Sequence, residues 1–81
     1  MKIELIIDEH CFSNNALADM KNRLEEDFAS AEIFTTSFET DPQRLKKLSI
    51  RLLPAWLVND EVLRINPLNY EELKRKIRER M

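Results

Sequence analysis

The chain has 81 residues, 43% hydrophobic and 35% charged, with a net charge of −2 and a pI near 5.4. That describes one small domain, residues 1–81, with room for a modest core; it is too apolar for disorder and has no run near the ~18 apolar residues of a bilayer span. Glycine is absent, which excludes the glycine-rich phosphate loops of nucleotide enzymes, and the lone cysteine, Cys11, excludes an internal disulfide and a structural zinc set. Residues 1–12 lack the basic start and apolar stretch of a secretion signal, so a cytosolic protein with no membrane contact is expected.

Charge is uneven along the chain. Residues 1–41 hold ten acids and three bases, whereas residues 42–81 hold five acids and ten bases. The basic stretch KRKIRER, residues 74–80, could face an anionic surface. It is better read as a helix C-terminus whose bases complement the dipole, with Glu71–Arg75 and Glu72–Lys76 as i,i+4 pairs. The acidic pI argues against a nucleic-acid partner.

In chain order, KIELIID (2–8) combines the alternation of Ile3, Leu5 and Ile7 with Ile6, the pattern of a central strand buried on both faces. Ser13 or Asn14 is suited to cap a helix, and Leu17, Met20, Leu24 and Phe28 form its apolar stripe. AEIFTTSFE (31–39) is rich in β-branched and aromatic residues and reads as a second strand, parallel to the first. Asp41 caps a short helix with Pro42 at its first position, burying Leu45 and Leu48. Arg44, Lys46, Lys47 and Arg51 read as a solvated face.

Residues 55–65, AWLVNDEVLRI, form a hairpin. With no glycine present, Asn59–Asp60 must supply the positive φ angles of a type I′ turn. Trp56 then lies opposite Leu63, Val58 opposite Glu61 and Leu57 opposite Val62. Tyr70, Leu73, Ile77 and Met81 mark the buried stripe of a closing helix. The order is β-α-β-α-β-β-α, an α/β fold. A ferredoxin-like arrangement fits less well because of the terminal helix and the extra helix at residues 41–49.

Two stretches carry a family likeness: DEHCFSN at the end of the first strand, and RLLPAWLVNDEVLRI. With these the chain resembles small thioredoxin-like and glutaredoxin-like proteins. The resemblance implies a mixed four-stranded sheet of order 2-1-3-4, with the first and third helices on one face and the second on the other. It puts Cys11 where the family keeps the first cysteine of Cys-x-x-Cys. It makes Pro54 a cis-proline, with Leu53 offering its backbone to an extended thiol partner.

Two departures stand beside this likeness. Asn14 takes the place of the second cysteine, and Asp8 and Glu9 stand where glutaredoxin-type members often place a basic residue. Without a second thiol, a self-contained dithiol cycle has no resolving group. Three readings follow: a binding or structural module without catalysis, which is the one adopted; single-thiol exchange through Cys11 with an external thiol such as glutathione; and a shared metal or iron–sulfur ligand, for which one thiol per chain is a weak signal. No resident cofactor or metal is expected.

Helix N–H groups next to Cys11 favour a thiolate, as would a protonated His10; Asp8 and Glu9 oppose it. Each candidate also has a plainer role. Cys11 can be a small packing residue, and His10 an exposed loop residue. Phe12 can face a partner or staple the helix against Leu17, and Trp56 can line a groove or pack across the strands. The expected partner surface is formed by His10, Phe12, Leu53, Pro54 and Trp56. The substrate or partner, a peptide or protein thiol by the family's habit, and the oligomeric state are not written in the sequence.

Overall fold

The structure, a computed structural model, describes residues 1–11 and 13–81. β1 (Lys2–Ile7) is followed by α1 (Asn14–Asp27) and β2 (Glu32–Ser37). A single 3₁₀ turn (Phe38–Thr40) leads to α2 (Pro42–Lys47), the hairpin β3 (Ala55–Val58) and β4 (Glu61–Val62), and α3 (Tyr70–Glu79). The sheet order is β2-β1-β3-β4, with β1 and β2 parallel and the other pairs antiparallel. This is the expected topology. Its parallel pair needs the α1 crossover, and the closing hairpin needs only two turn residues.

The central strand separates two cores. Ile3 and Leu5 point toward α1 and α3, packing with Leu17, Leu24, Trp56, Leu73 and Ile77. Ile6, Ala55 and Leu57 point the other way, against Leu45, Leu48, Ile50, Leu53 and Val62. The alternation of side chains along a strand makes this division, and it explains why β1 is apolar at consecutive positions. The hairpin register is as read, with Leu57 opposite Val62 and Val58 opposite Glu61. Asn59 and Asp60 have φ of 49° and 68°. The strand pairing of β4 stops at Val62, and β2 stops at Ser37, so both are shorter than the apolar runs suggested.

Four local expectations are corrected. Neither Ser13 nor Asn14 caps α1 with its side chain; the turn uses other acceptors, described below. Met81 is exposed, because α3 ends at Glu79 before the stripe can reach it. Glu71 pairs with Arg23 and Lys76 with Glu79, in place of the two i,i+4 pairs within α3. Arg44 is not a solvated residue. Its guanidinium makes a two-pronged hydrogen bond to Glu4, with Nη2 2.5 Å from Oε1, and also reaches Asp60 at 3.3 Å. Glu4 is buried in the middle of the sheet on the α2 face, and among the described residues Arg44 is the cation in direct ion-pair contact with it. The Arg44 hydrogen bonds hold the Glu4 carboxyl below its ordinary value of 4.5, against burial, which acts to raise it.

α2 ends in a left-handed residue. Ser49 has φ of 59°, the Ile50 N–H donates to Leu45 O at 2.9 Å, and the Ser49 N–H donates to Lys46 O at 3.2 Å. These two bonds form a Schellman end, ordinarily built on glycine, with Leu45 and Ile50 as its apolar contact. A side chain at this position carries a steric cost that glycine lacks. Ser49→Gly is therefore expected to raise stability by about 0.5–1 kcal/mol, read as a higher urea midpoint with unchanged slope. An unchanged or lower midpoint would contradict this account of the α2 end.

Candidate functional site

The C-terminal end of β1 and the N-terminal end of β3 are neighbours. Ile6 is paired with Ala55, so the turn after Ile7 and the Leu53–Pro54 segment lie at the same end of the sheet. The Leu53–Pro54 peptide bond is cis. Both residues are partly buried, whereas Leu52 just before them is 84% exposed.

The turn that carries Cys11 is closed by its own backbone. The Cys11 N–H donates to Asp8 O at 3.0 Å, and the Asn14 N–H donates to Cys11 O at 3.3 Å. The Ser13 N–H points at sulfur, 3.4 Å from Cys11 Sγ. The sulfur thus accepts from the N–H of Ser13, the N-cap residue of α1, whose own side chain makes no capping bond. Cys11 is partly buried.

Asn14 fastens the same turn. Its Nδ2 donates to Asp8 O at 3.0 Å and to Glu9 O at 3.2 Å. Two carbonyls facing one end of the amide fix its orientation, since the oxygen could not be turned toward them. Asn14 Oδ1 is buried and finds no hydrogen-bond partner among the described residues. The sequence offers Asn14 as a helix cap or as the missing second thiol; its donor geometry shows a residue that ties α1 to the loop before it. The signal available was an amide side chain at a helix start following a glycine-free turn.

The remaining site residues are distributed unevenly. His10 is exposed, and its backbone N–H donates to Asp8 Oδ1 at 3.0 Å. Trp56 is only 1% exposed, and its Nε1 donates to Pro67 O at 3.0 Å. Its packing role across the hairpin leaves almost no surface for a partner. The Phe12 assignment falls outside the described residues. Among the described residues, no group of three or more His, Cys, Asp or Glu side chains is placed to hold a metal ion, and no helix is long and apolar enough to cross a membrane.

No protein-family model and no curated protein sequence matches the chain. Solved structures do match it. Mitochondrial thioredoxin 3 from Saccharomyces cerevisiae, in its oxidized form, superposes with a TM-score of 0.79 at 11% identity, over 96% of this chain and 76% of that one. Fasciola hepatica thioredoxin gives a TM-score of 0.76 at 12% identity, over 99% of this chain and 80% of that one. The chain has the thioredoxin fold. A third match is thioredoxin f2, solved in complex with ferredoxin:thioredoxin reductase, with a TM-score of 0.77 and 19% identity over 98% of this chain and 76% of that one. At these identities the likeness is one of architecture: the mixed sheet, the helices on both faces and the closing hairpin are shared.

Proposed function

We propose that this protein is a binding module built on the thioredoxin fold. It captures an extended peptide at the end of the sheet where Leu53 and Pro54 approach the Cys11 turn, and it does so without a catalytic cycle. The observation that carries this reading is Asn14. In a Cys-x-x-Asn arrangement the residue that would resolve a mixed disulfide has no thiol, and here it is committed to the Asp8 and Glu9 carbonyls. The exposed Leu52 and half-buried Leu53 supply apolar surface beside it, and thioredoxin f2 offers a precedent among similar folds for engagement with a protein.

The reading is tested by panning a displayed random-peptide library on the protein and measuring selected peptides by titration. Leu53→Asp and Leu53→Lys are each expected to weaken binding at least about ten-fold, because a charge of either sign must be desolvated at an apolar contact. Because Leu53 also packs against the Ile6–Ala55–Leu57 core, binding is compared at a temperature where the melting profile of each variant shows it folded. Undiminished binding in the two variants would put the capture surface elsewhere.

One observation favours a second reading, the Ser13 N–H directed at Cys11 Sγ. In single-thiol exchange, the Cys11 thiolate would attack a glutathionylated protein, form a mixed disulfide with glutathione and release the protein thiolate. A second glutathione thiolate would then attack that disulfide, releasing glutathione disulfide and restoring Cys11. Asp8 and Glu9 at the approach oppose an anionic cosubstrate. Glutathione-dependent reduction of a small disulfide, present in wild type and absent in Cys11→Ser, would favour this second reading over the first.

A further inference from the structure

The edge of the sheet holds a groove that the capture surface alone does not explain. It runs from Asp60 past β4 to Pro67 and is closed on its other side by residues 48–54, with a volume of about 990 Å³. Ile50, Leu53, Val62 and Ile65 give it an apolar lining. Its charged residues are not equivalent. Asp60 is engaged by Arg44 at 3.3 Å and Glu61 by Arg80 at 2.9 Å. Arg51 and Arg64 are exposed and, among the described residues, neither enters an ion pair. The groove therefore presents two uncompensated positive charges, although the chain as a whole is acidic.

The backbone along this groove also has open valences. Val58 and Glu61 face each other in the hairpin, and the Leu63 N–H donates to Trp56 O at 2.9 Å. In an antiparallel ladder the residues between such pairs turn their N–H and C=O outward. Val62 lies between them, and β4 is the edge strand. Arg51 and Arg64 both line the groove that residues 48–54 close beside Val62.

We propose that the β4 edge takes an extended acidic peptide segment as an added strand, pairing at Val62 and setting carboxylates on Arg51 and Arg64. This rests on the binding-module reading and names the chemistry of its partner: alternating acidic and apolar residues, the acids facing the two arginines.

The test is fluorescence anisotropy with three labelled peptides, alternating glutamate–valine, serine–valine and lysine–valine. Glutamate–valine is expected to bind more tightly than serine–valine, and lysine–valine not at all. Arg51→Glu/Arg64→Glu, whose two sites are exposed and whose melting profile is compared first, is expected to weaken glutamate–valine at least about ten-fold and to admit lysine–valine. Methylation of alternate backbone nitrogens in the glutamate–valine peptide is expected to remove its binding.

Several results would overturn the proposal: no binding by glutamate–valine, binding unchanged in the double arginine variant, or binding unchanged by N-methylation. A dimer in sedimentation that dissociates in the double variant would do so as well, by assigning the groove to a second copy of the chain. Equal binding of the serine and glutamate peptides, both weakened by Leu53→Lys, would remove the acidic preference and leave peptide capture standing.

Discussion

Arg44→Met is expected to lower the unfolding free energy by about 3 kcal/mol, a large share of the stability of so small a domain. The Glu4 side chain is 4% exposed and the Arg44 side chain 29%. Removing the cation leaves a carboxylate inside the sheet with no full countercharge, and Asp60 loses the same partner. Glu4→Leu/Arg44→Met is expected to recover most of the loss, because two apolar chains of similar volume need no desolvated charges. Urea unfolding of the wild type, the single variant and the double variant checks this. A single variant as stable as wild type would mean that the buried pair carries no net stabilisation.

The same pair sets part of the acid response. Glu4 has a native value below its ordinary 4.5, so the unfolded chain binds the proton more readily over that interval. Stability from this group is complete above about pH 4.5 and is lost as the pH falls through the native value. Glu61 and Asp27 are shifted in the same direction, by Arg80 and by Tyr70 respectively. Glu4→Gln is expected to flatten the acid limb of a stability–pH curve without abolishing it. A limb unchanged in Glu4→Gln would assign the acid response to the surface carboxylates alone.

Trp56→Ala is expected to cost about 4 kcal/mol, the middle of the range for truncating a buried aromatic residue. Trp56 fills the space between the hairpin and α1 and α3 and donates to Pro67 O in the segment before α3. Trp56→Phe keeps much of the buried area and loses only the indole donor, so its cost is expected to be nearer 1 kcal/mol. Denaturant unfolding of the two variants separates packing from the hydrogen bond. Equal losses would mean that the bond to Pro67 dominates.

These effects mark where the sequence could and could not be read. The consecutive apolar positions of β1, the Asp41–Pro42 start of α2 and the Asn59–Asp60 turn are local signals, and each produces the element it announces. Glu4 and Arg44 are separated by forty positions. Arg44 fits the polar side of α2 when that helix is considered alone, and Glu4 reads as one polar residue in an apolar strand. Only the packing of α2 against the sheet brings the two together. Ser49 was hidden for a related reason: helix ends are read by glycine or asparagine, and here the Schellman bonds impose the left-handed conformation on serine.

The site divides along the same line. The placement of the Cys11 turn near Leu53 and Pro54 follows from strand order, which the sequence announced. Of the two roles the sequence allows Trp56, groove lining or packing across the strands, its burial and the inward indole select packing. The bonds from Asn14 to Asp8 and Glu9 depend on how the chain leaves β1, which composition and periodicity do not encode.

The central claim is peptide capture at the Leu53–Pro54 end independent of thiol chemistry. Its most direct test is the affinity of one selected peptide for wild type and for Cys11→Ser under identical conditions. The same affinity within about two-fold is expected, well under the 1.4 kcal/mol of a ten-fold change, with the complex fully reversible and insensitive to dithiothreitol. Loss of binding in Cys11→Ser, or a wild-type complex that dithiothreitol releases, would make Cys11 the seat of the interaction and contradict a non-catalytic module.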